Sequence, residues 1–433
     1  MKVFKTKACL GIAVAGLMVL ALGDAEASRR RPSKPPESAV DRYQRSWEHK
    51  ALKIQEQLQR HNPLRLATFI HTHNSYNSKA YSSAFSYWVD PNHVHTIKDQ
   101  LRMDAMNIEL DVHWYFAMHG WPWQWKKKPL LCHGQGNHLG CSSTDRDLSD
   151  GLAEVSSYIR SNRDRVIIIY IEEHLDGHWN DALARIKSKL GDLVYRTGST
   201  SCQDAPVNLT RDQVLSAGKN IILWSGGCTS GEWASFVYKK NNTVPESNVE
   251  RFTAYGDCGS ARFDRNTYND KIVRFYEDLT NATEWFTDGS GKTTPANMRE
   301  MAKCGVNLLG TDKLQPTDGR LAAAVWSWAR NEPNDWGGRE DCAHQRADQY
   351  WNDHQCSTRF AYACSNGYGS WKITGHGGWS GGQAACAGLG GGYGFARPKD
   401  GYDNMKLHEA KQARGLGGVW INAHHRGREG RWE

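Results

Sequence analysis

Beyond its first two dozen residues the chain has no apolar run long enough to cross a bilayer, and none of its eleven cysteines stands in C-x-x-C spacing. The first absence excludes a multispan membrane protein, and the second argues against a structural zinc site. No Gly-rich phosphate loop follows the first strand-like run, which counts against a doubly wound nucleotide-binding sheet. Charge of one sign is also scarce. A formal +7 over 433 residues, with no basic stripe and no recognised nucleic-acid motif, assigns no nucleic-acid partner. So weak a cationic excess still suits an anionic membrane surface.

What is present begins with a leader. Lys2, Lys5 and Lys7 precede the apolar stretch Ala8 to Leu22, and Ala25-Glu26-Ala27 matches a small-x-small cleavage site, so residues 1–27 read as a secretory signal peptide. The competing reading, an uncleaved anchor, is disfavoured by the shortness of that stretch. Secretion, extracellular or periplasmic and from a bacterium, is therefore expected. In such a compartment the cysteines left after Cys9 departs, even in number, point to disulfides.

Residues 28–63 are expected to be a linker over 28–40, with Arg29-Arg30-Arg31 and three prolines, and then a helix over 41–60 that caps a barrel floor. From Leu64 strand and helix signals alternate. Strands are expected near 66–70, 106–111, 129–132, 166–171, 220–224, 251–255 and 305–309, with helices such as 147–161, 178–190 and 265–278 between them. Seven strands over ~250 residues fit an α/β fold of the TIM type with one strand unassigned.

The chain is organised around Thr72-His73-Asn74-Ser75-Tyr76, just past the first strand. Asn107-Ile108-Glu109-Leu110-Asp111, Leu130-Leu131-Cys132-His133 and the run Val166 to Glu173 answer it, each β-rich with polar residues at or near its end. Read as parallel strands, they would bring His73, Asn74, Glu109, Asp111, His133 and Glu172 to the C-terminal face of a barrel, where such folds place active sites. Two histidines titrating near neutrality make a natural acid and base. Asn74, Glu109, Asp111 and Glu172 are hard oxygen donors of the kind Ca²⁺ or Mg²⁺ prefers. That combination suits displacement at phosphorus.

On these motifs residues 64 to about 175 resemble the X region of the phosphatidylinositol-specific phospholipase C family. Thr72-His73-Asn74-Ser75-Tyr76 resembles its first-histidine motif, Glu109-Leu110-Asp111 its E-x-D strand, His133-Gly134 its second-histidine motif, and Ile171-Glu172-Glu173-His174 its L-E-N-H-like strand end. The resemblance implies a distorted TIM barrel, a catalytic pair His73 and His133, and Ca²⁺ held by Asn74, Glu109, Asp111 and Glu172. His133 would protonate the leaving alkoxide, His73 would stabilise or deprotonate the attacking side, and Glu109 would share the base role. Metal-free bacterial members carry an arginine where this chain has Asp111, so the calcium-dependent branch is implied. Glu173 departs from the usual Asn and is expected to add charge near the metal. Residues 200–318 lack a recognisable substrate-pocket signature. The aromatic stretches 81–89, 113–116 and 121–128, the last ending in three lysines, would serve either insertion into a lipid interface or a rigid lid or sugar site. His113, His119, His138 and His174 are expected to play supporting or surface roles.

The last hundred residues turn rich in Gly, Trp and Cys. Glu332-Pro333-Asn334, Glu340-Asp341-Cys342, Trp351-Asn352-Asp353 and Phe360 to Cys364 resemble, in order, the later motifs of the C-type lectin-like domain. The resemblance implies a second Ca²⁺ on Glu332, Asn334, Glu340, Asn352 and Asp353, bridging to a carbohydrate; the alternative is a fold kept for protein contact. Residues after Cys364 resemble the beginning of that domain, so 321–433 is expected to be one circularly permuted α+β lectin-like domain following a barrel over 64–320. The family's bridges would then map to Cys364–Cys386 and Cys342–Cys356, leaving Cys132–Cys141, Cys202–Cys228 and Cys258–Cys304 to the barrel. The expected function is a secreted calcium-dependent phosphodiesterase acting on an inositol phospholipid or glycolipid anchor at a membrane. The alternatives are a glycerophosphodiester phosphodiesterase-like enzyme, which expects His-Arg at the first motif, and a non-catalytic adhesin.

Overall fold

The computed structural model describes residues 36–81, 90–119, 124–246, 268–275, 277–286, 292–425 and 431–433. The expected leader and the expected strand at 251–255 lie outside them. Strands are β1 (Phe69–Thr72), β2 (Asn107–His119), β3 (Gln124–Leu131), β4 (Arg146–Asp147), β5 (Ile167–His174), β6 (Ile221–Ser225), β7 (Val237–Lys239), β8 (Thr243–Glu246), β9 (Ile272–Phe275) and β10 (Leu308–Thr311). Eight of these run in the order β7-β6-β5-β2-β1-β10-β9-β8, every pair parallel, as a TIM-like half-barrel. Ile167 to Ile171 shows why a central strand reads as an unbroken apolar run: both of its faces are covered, and all five residues are buried. Helix Leu148–Arg160 starts on its Asp147 cap and turns Leu148, Leu152, Val155 and Ile159 inward, the i, i+3/i+4 spacing of a one-faced helix.

Two expectations are corrected. Residues 272–275 form β9, not part of a helix, because Ile272-Val273-Arg274-Phe275 buries three apolar side chains around one charged residue in a strand. The strand leading to His133 is antiparallel. β2 continues past the barrel rim to His119, and β3 returns along it with Phe116 opposite Lys127 and Val112 opposite Leu131. His133 thus reaches the rim down a hairpin arm.

The second sheet is built of β11 (Cys342–Gln345), β12 (Trp351–His354), β13 (Phe360–Gly367), β14 (Ser370–Gly377), β15 (Gly394–Phe395) and β16 (Val419–His424), in the order β12-β11-β16-β13-β14 with β15 on β13. Helix Trp47–Leu58, at the barrel floor as expected, joins the two sheets. Gln55 Oε1 accepts from the Trp326 and Ser327 amides at 3.0 and 3.3 Å, and Trp47 Nε1 donates to the Glu332 carbonyl at 2.7 Å. Ile70, Leu52, Trp326, Leu407 and Val419 belong to one continuous core. Helices Pro295–Lys303 and Gly401–Gln412 approach so closely that a Cβ on Gly401 would sit 2.1 Å from the Ala302 carbonyl oxygen.

Bridges Cys132–Cys141, Cys202–Cys228, Cys342–Cys356 and Cys364–Cys386 are formed. Cys258 lies outside the described residues. No helix among those residues is long and apolar enough to cross a membrane.

Candidate active site

Side chains two residues apart on a strand share a face, and parallel register carries that face from strand to strand. With His71 opposite Asn107, Glu109 opposite Tyr170, Asp111 opposite Glu172, Gly310 opposite His71 and Leu308 opposite Arg274, one inward layer gathers Glu109, Asp111, Glu172 and Arg274 beside His71. One carboxylate oxygen from each of Glu109, Asp111 and Glu172 lies within 4.8 Å of the others.

The turn after β1 places the first motif. Ser75 stitches it to β2, accepting from the Glu109 amide at 3.1 Å through Oγ and donating its own amide to the Glu109 carbonyl at 3.0 Å. Asn74 sits at φ 47°, the left-handed region that Asn tolerates better than most residues. In the orientation its neighbours dictate, its amide nitrogen donates to Asp111 Oδ2 and Oδ1 at 2.9 and 3.1 Å, and its oxygen accepts from His133 Nε2 at 3.3 Å. Asn77 Nδ2 donates to His133 Nδ1 at 3.2 Å. Both contacts select one tautomer, with the proton on Nε2 donated to the Asn74 oxygen. Cys132, just before His133, is bridged to Cys141. The loop then needs a residue without a side chain, since a Cβ on Gly134 would lie 2.9 Å from the Cys141 sulfur.

His73 lies nearby, its Nδ1 3.6 Å from Asp312 Oδ2. Burial disfavours its charge, but Glu109 and Asp312 outweigh that and raise it to about 10. His133 goes the other way, lowered by burial and by the neighbouring His73. Asp312 is held by the Leu279 amide at 2.6 Å and by Asn92 Nδ2 at 2.9 Å. Sequence reasoning missed it, although an acid directly after Leu308-Leu309-Gly310-Thr311 repeats the strand-end pattern of the other motifs.

Arg274 was missed too, because its strand was expected to be helix. Its Nη2 donates to Glu109 Oε2 at 2.7 Å, and its guanidinium lies over the Tyr170 ring at 4.8 Å. Against the cost of burial, Arg274, His73 and His71 hold the Glu109 carboxyl well below the usual range. Asp111 has no such partner. Burial first, then Glu109 and Glu172, push it well above the usual range, with the Tyr76 hydroxyl at 2.9 Å giving some relief.

These donors fit a divalent cation. Asp111 is a buried carboxyl that no Lys, Arg or His among the described residues pairs directly, and its neighbours Glu109 and Glu172 disfavour its charge. The Asn74 amide, turned over, would bring its oxygen against both Asp111 oxygens, an arrangement that calls for a cation between them.

Glu173 points away from this cluster, its carboxylate bonded to the Ser225 hydroxyl on β6. His174 donates to Glu172 at 3.1 Å and stacks near His113 at 4.3 Å, while His113 pairs with His138 at 2.9 Å. The His119 side chain lies outside the described residues, as do stretches 82–89 and 120–123. On the hairpin Phe116, Met118 and Trp125 are exposed, and Lys127 lies 5.2 Å from the Phe116 ring.

In the second sheet region Asp353 accepts from the Asn334 and Asp335 amides at 3.2 and 2.7 Å, and Glu340 accepts from the Trp336 amide at 3.1 Å. Glu332 is buried, and burial together with Asp353 and Glu340 raises it to about 7. The Asn352 amide bonds the Asp353 carbonyl. Asp353, on β12, thus caps the backbone at 334–335 with Glu332 near it, but the carboxylate oxygens of Glu332, Glu340 and Asp353 do not all lie within 4.8 Å of one another.

Fold and site together define a PI-PLC-like barrel joined to a C-type lectin region. A family model described as the Rv2075c PI-PLC-like domain matches residues 33–318, and one described as the lectin C-type domain matches residues 280–366. The chain belongs to the Rv2075c PI-PLC-like family. It is 30% identical over 412 residues to uncharacterized protein Rv2075c of Mycobacterium tuberculosis, covering 89% of this chain and 81% of that one. A shorter stretch of 60 residues is 35% identical to human C-type lectin domain family 10 member A, 13% of this chain and 19% of that one. Among solved structures, phosphatidylinositol-specific phospholipase C from Listeria monocytogenes aligns with 63% of this chain and 98% of its own at TM-score 0.40 and 11% identity.

Proposed function

We propose that the protein is a secreted, calcium-dependent phosphodiesterase that cleaves an inositol phospholipid or glycolipid anchor. The observation that carries this reading is Asn74, whose one side chain lies between Asp111 in the carboxylate cluster and Nε2 of His133, and which, by turning its oxygen to Ca²⁺, would free the His133 Nε2–H for the substrate. Acid and metal-binding groups are thereby held around a single point.

His133, with its Nε2–H directed inward, hands a proton to the leaving oxygen. It is neutral in the free protein, and a phosphodiester anion beside it would raise its proton affinity. His73, charged and paired with Asp312, stabilises negative charge on the attacking side. Arg274 restrains Glu109 and so makes it a poor base, which leaves proton acceptance on that side to His73 once the surrounding negative charge is offset. Asn74, Glu109, Asp111 and Glu172 would hold Ca²⁺, which when bound supplies positive charge for the phosphoryl oxygens and for an attacking hydroxyl.

We read residues 321–433 as one permuted lectin-like domain holding the enzyme near glycans. Support comes from a single sheet drawing β11 and β12 from before β13, the strand that holds Cys364, and β14 to β16 from after it, and from the Cys364–Cys386 bridge. Glu332, Asn334, Glu340, Asn352 and Asp353 are its proposed Ca²⁺ and sugar ligands.

The test is a panel of phosphodiester lipids, with and without Ca²⁺. Cleavage of inositol lipids, abolished by chelator and restored better by Ca²⁺ than by Mg²⁺, is expected, and Asp111→Asn should weaken the Ca²⁺ requirement. Full activity in excess chelator would refute the metal assignment. Cleavage confined to glycerophosphodiesters would refute the substrate assignment.

A further inference from the structure

At the far end of the barrel from the histidines, a cleft of about 600 Å³ opens between the floor, helix Trp47–Leu58 and the segment Arg431 to Glu433. Its volume is that of a small-molecule site. Three of its cations are matched locally. Lys53 lies 3.3 Å from Asp164, Arg60 lies 3.0 Å from Asp212, and Arg165 meets Glu56 at 2.6 Å.

Arg211, on the inner wall, is not matched. It is 2% exposed. Its Nη2 donates to the Thr68 carbonyl at 2.9 Å, and its guanidinium lies over the Phe69 ring at 3.9 Å. Nε and Nη1 are buried and have no hydrogen-bond partner. No ion pair reaches it among the described residues, and burial lowers its pKa to about 10, an effect Glu56 only partly offsets and Arg165 adds to. Buried polar groups in native proteins are almost always satisfied, so an unmet pair of N–H groups on a permanent cation calls for a partner. Two further guanidinia line the same cleft from the C-terminal side. Arg397 is bonded among the described residues to the backbone carbonyls of Asn422 at 3.3 Å and Leu58 at 3.2 Å, with burial opposing its charge and Glu433 of the same cleft partly offsetting that, and Arg431 is exposed.

We propose that this cleft binds a phosphate-bearing anion, with Arg211 at its inner end and Arg397 and Arg431 along one wall. A guanidinium fork matches carboxylate and phosphate alike. Three of them in one cleft favour the doubly charged phosphate, and the volume admits a small phosphomonoester.

Calorimetric titration and thermal unfolding of the full chain with inorganic phosphate, glycerol phosphate and acetate test this, in the wild type, Arg211→Met, Arg431→Gln and His133→Ala. Saturable phosphate binding with a raised Tm is expected in the wild type and in His133→Ala. Loss of a charged hydrogen-bond donor should weaken it about tenfold or more in Arg211→Met, and several-fold in Arg431→Gln. Arg431 is exposed, so that variant keeps the test decisive should Arg211→Met not fold. No saturable binding by the wild type, or unchanged affinity in Arg431→Gln, would overturn the proposal. Binding lost in His133→Ala but kept in Arg211→Met would place the anion at the catalytic end instead. Acetate binding as tightly as phosphate would overturn the ligand class.

Discussion

Arg274 Nη2 lies 2.7 Å from Glu109 Oε2, joining β9 to β2 across the barrel interior. Glu109 is 1% exposed, so its charge is tolerated only because the guanidinium and two imidazoles face it. Removing one partner of a buried pair leaves the other uncompensated, at a cost of about 3–5 kcal/mol. Arg274→Met should therefore lower stability by that order in urea denaturation, and adding Glu109→Gln should recover much of the loss. Additive single and double variants would show that the pair is not coupled.

The two imidazoles should act at the chemical step. His73→Ala and His133→Ala are each expected to lower kcat by about 10²-fold or more without unfolding the protein, the usual size of an acid or base contribution. Turnover close to wild type in either variant would remove that residue from the mechanism.

The hairpin should act before chemistry. Register sets Phe116 against Lys127 and Met118 against Trp125, so one face carries three exposed apolar side chains and a cation. Such a surface suits the boundary of an anionic bilayer. Phe116→Ser with Trp125→Ser should reduce partitioning onto vesicles containing anionic lipid by about tenfold or more, from the apolar area lost. Cleavage of a soluble phosphodiester should be untouched. Equal losses on soluble and vesicle substrates would assign the hairpin to the site itself.

Acid should weaken the barrel floor. Asp104 is buried against Arg165 at 2.9 Å, the Tyr43 hydroxyl at 2.7 Å and His49 at 2.8 Å. Burial opposes its charge, but Arg165 and His49 prevail and hold the carboxyl below its ordinary value of 3.8. A carboxyl lowered on folding contributes stability that is fully present above the unfolded pKa and is lost as pH falls through the folded one. Unfolding curves should show stability declining below about pH 4. Asp104→Asn should be less stable at neutral pH and flatter over the acid range. An unchanged acid slope in that variant would place the acid sensitivity elsewhere.

The sequence alone carried the half-barrel and most of the candidate site, for a local reason. A buried parallel strand is an apolar run, and a functional group at its end is a polar residue directly after it. Val166 to Glu172 has that form, while Asn107 to Asp111 alternates, with its polar residues 107, 109 and 111 on one face. Cys364–Cys386 and Cys342–Cys356 were implied by the resemblance to the C-type lectin-like domain, and both are formed.

Tertiary structure decided what depends on partners far along the chain. The tautomer of His133 follows from Asn74 and Asn77, more than fifty residues upstream, and the charge of His73 from Glu109 and Asp312. Arg274 was invisible because four residues of strand give too short a period to separate from helix, and its carboxylate partner lies 165 positions away. The antiparallel return of β3 was hidden for a related reason. Strand direction is a property of the pairing and not of the strand's own residues, so the same apolar run before His133 reads alike in either direction.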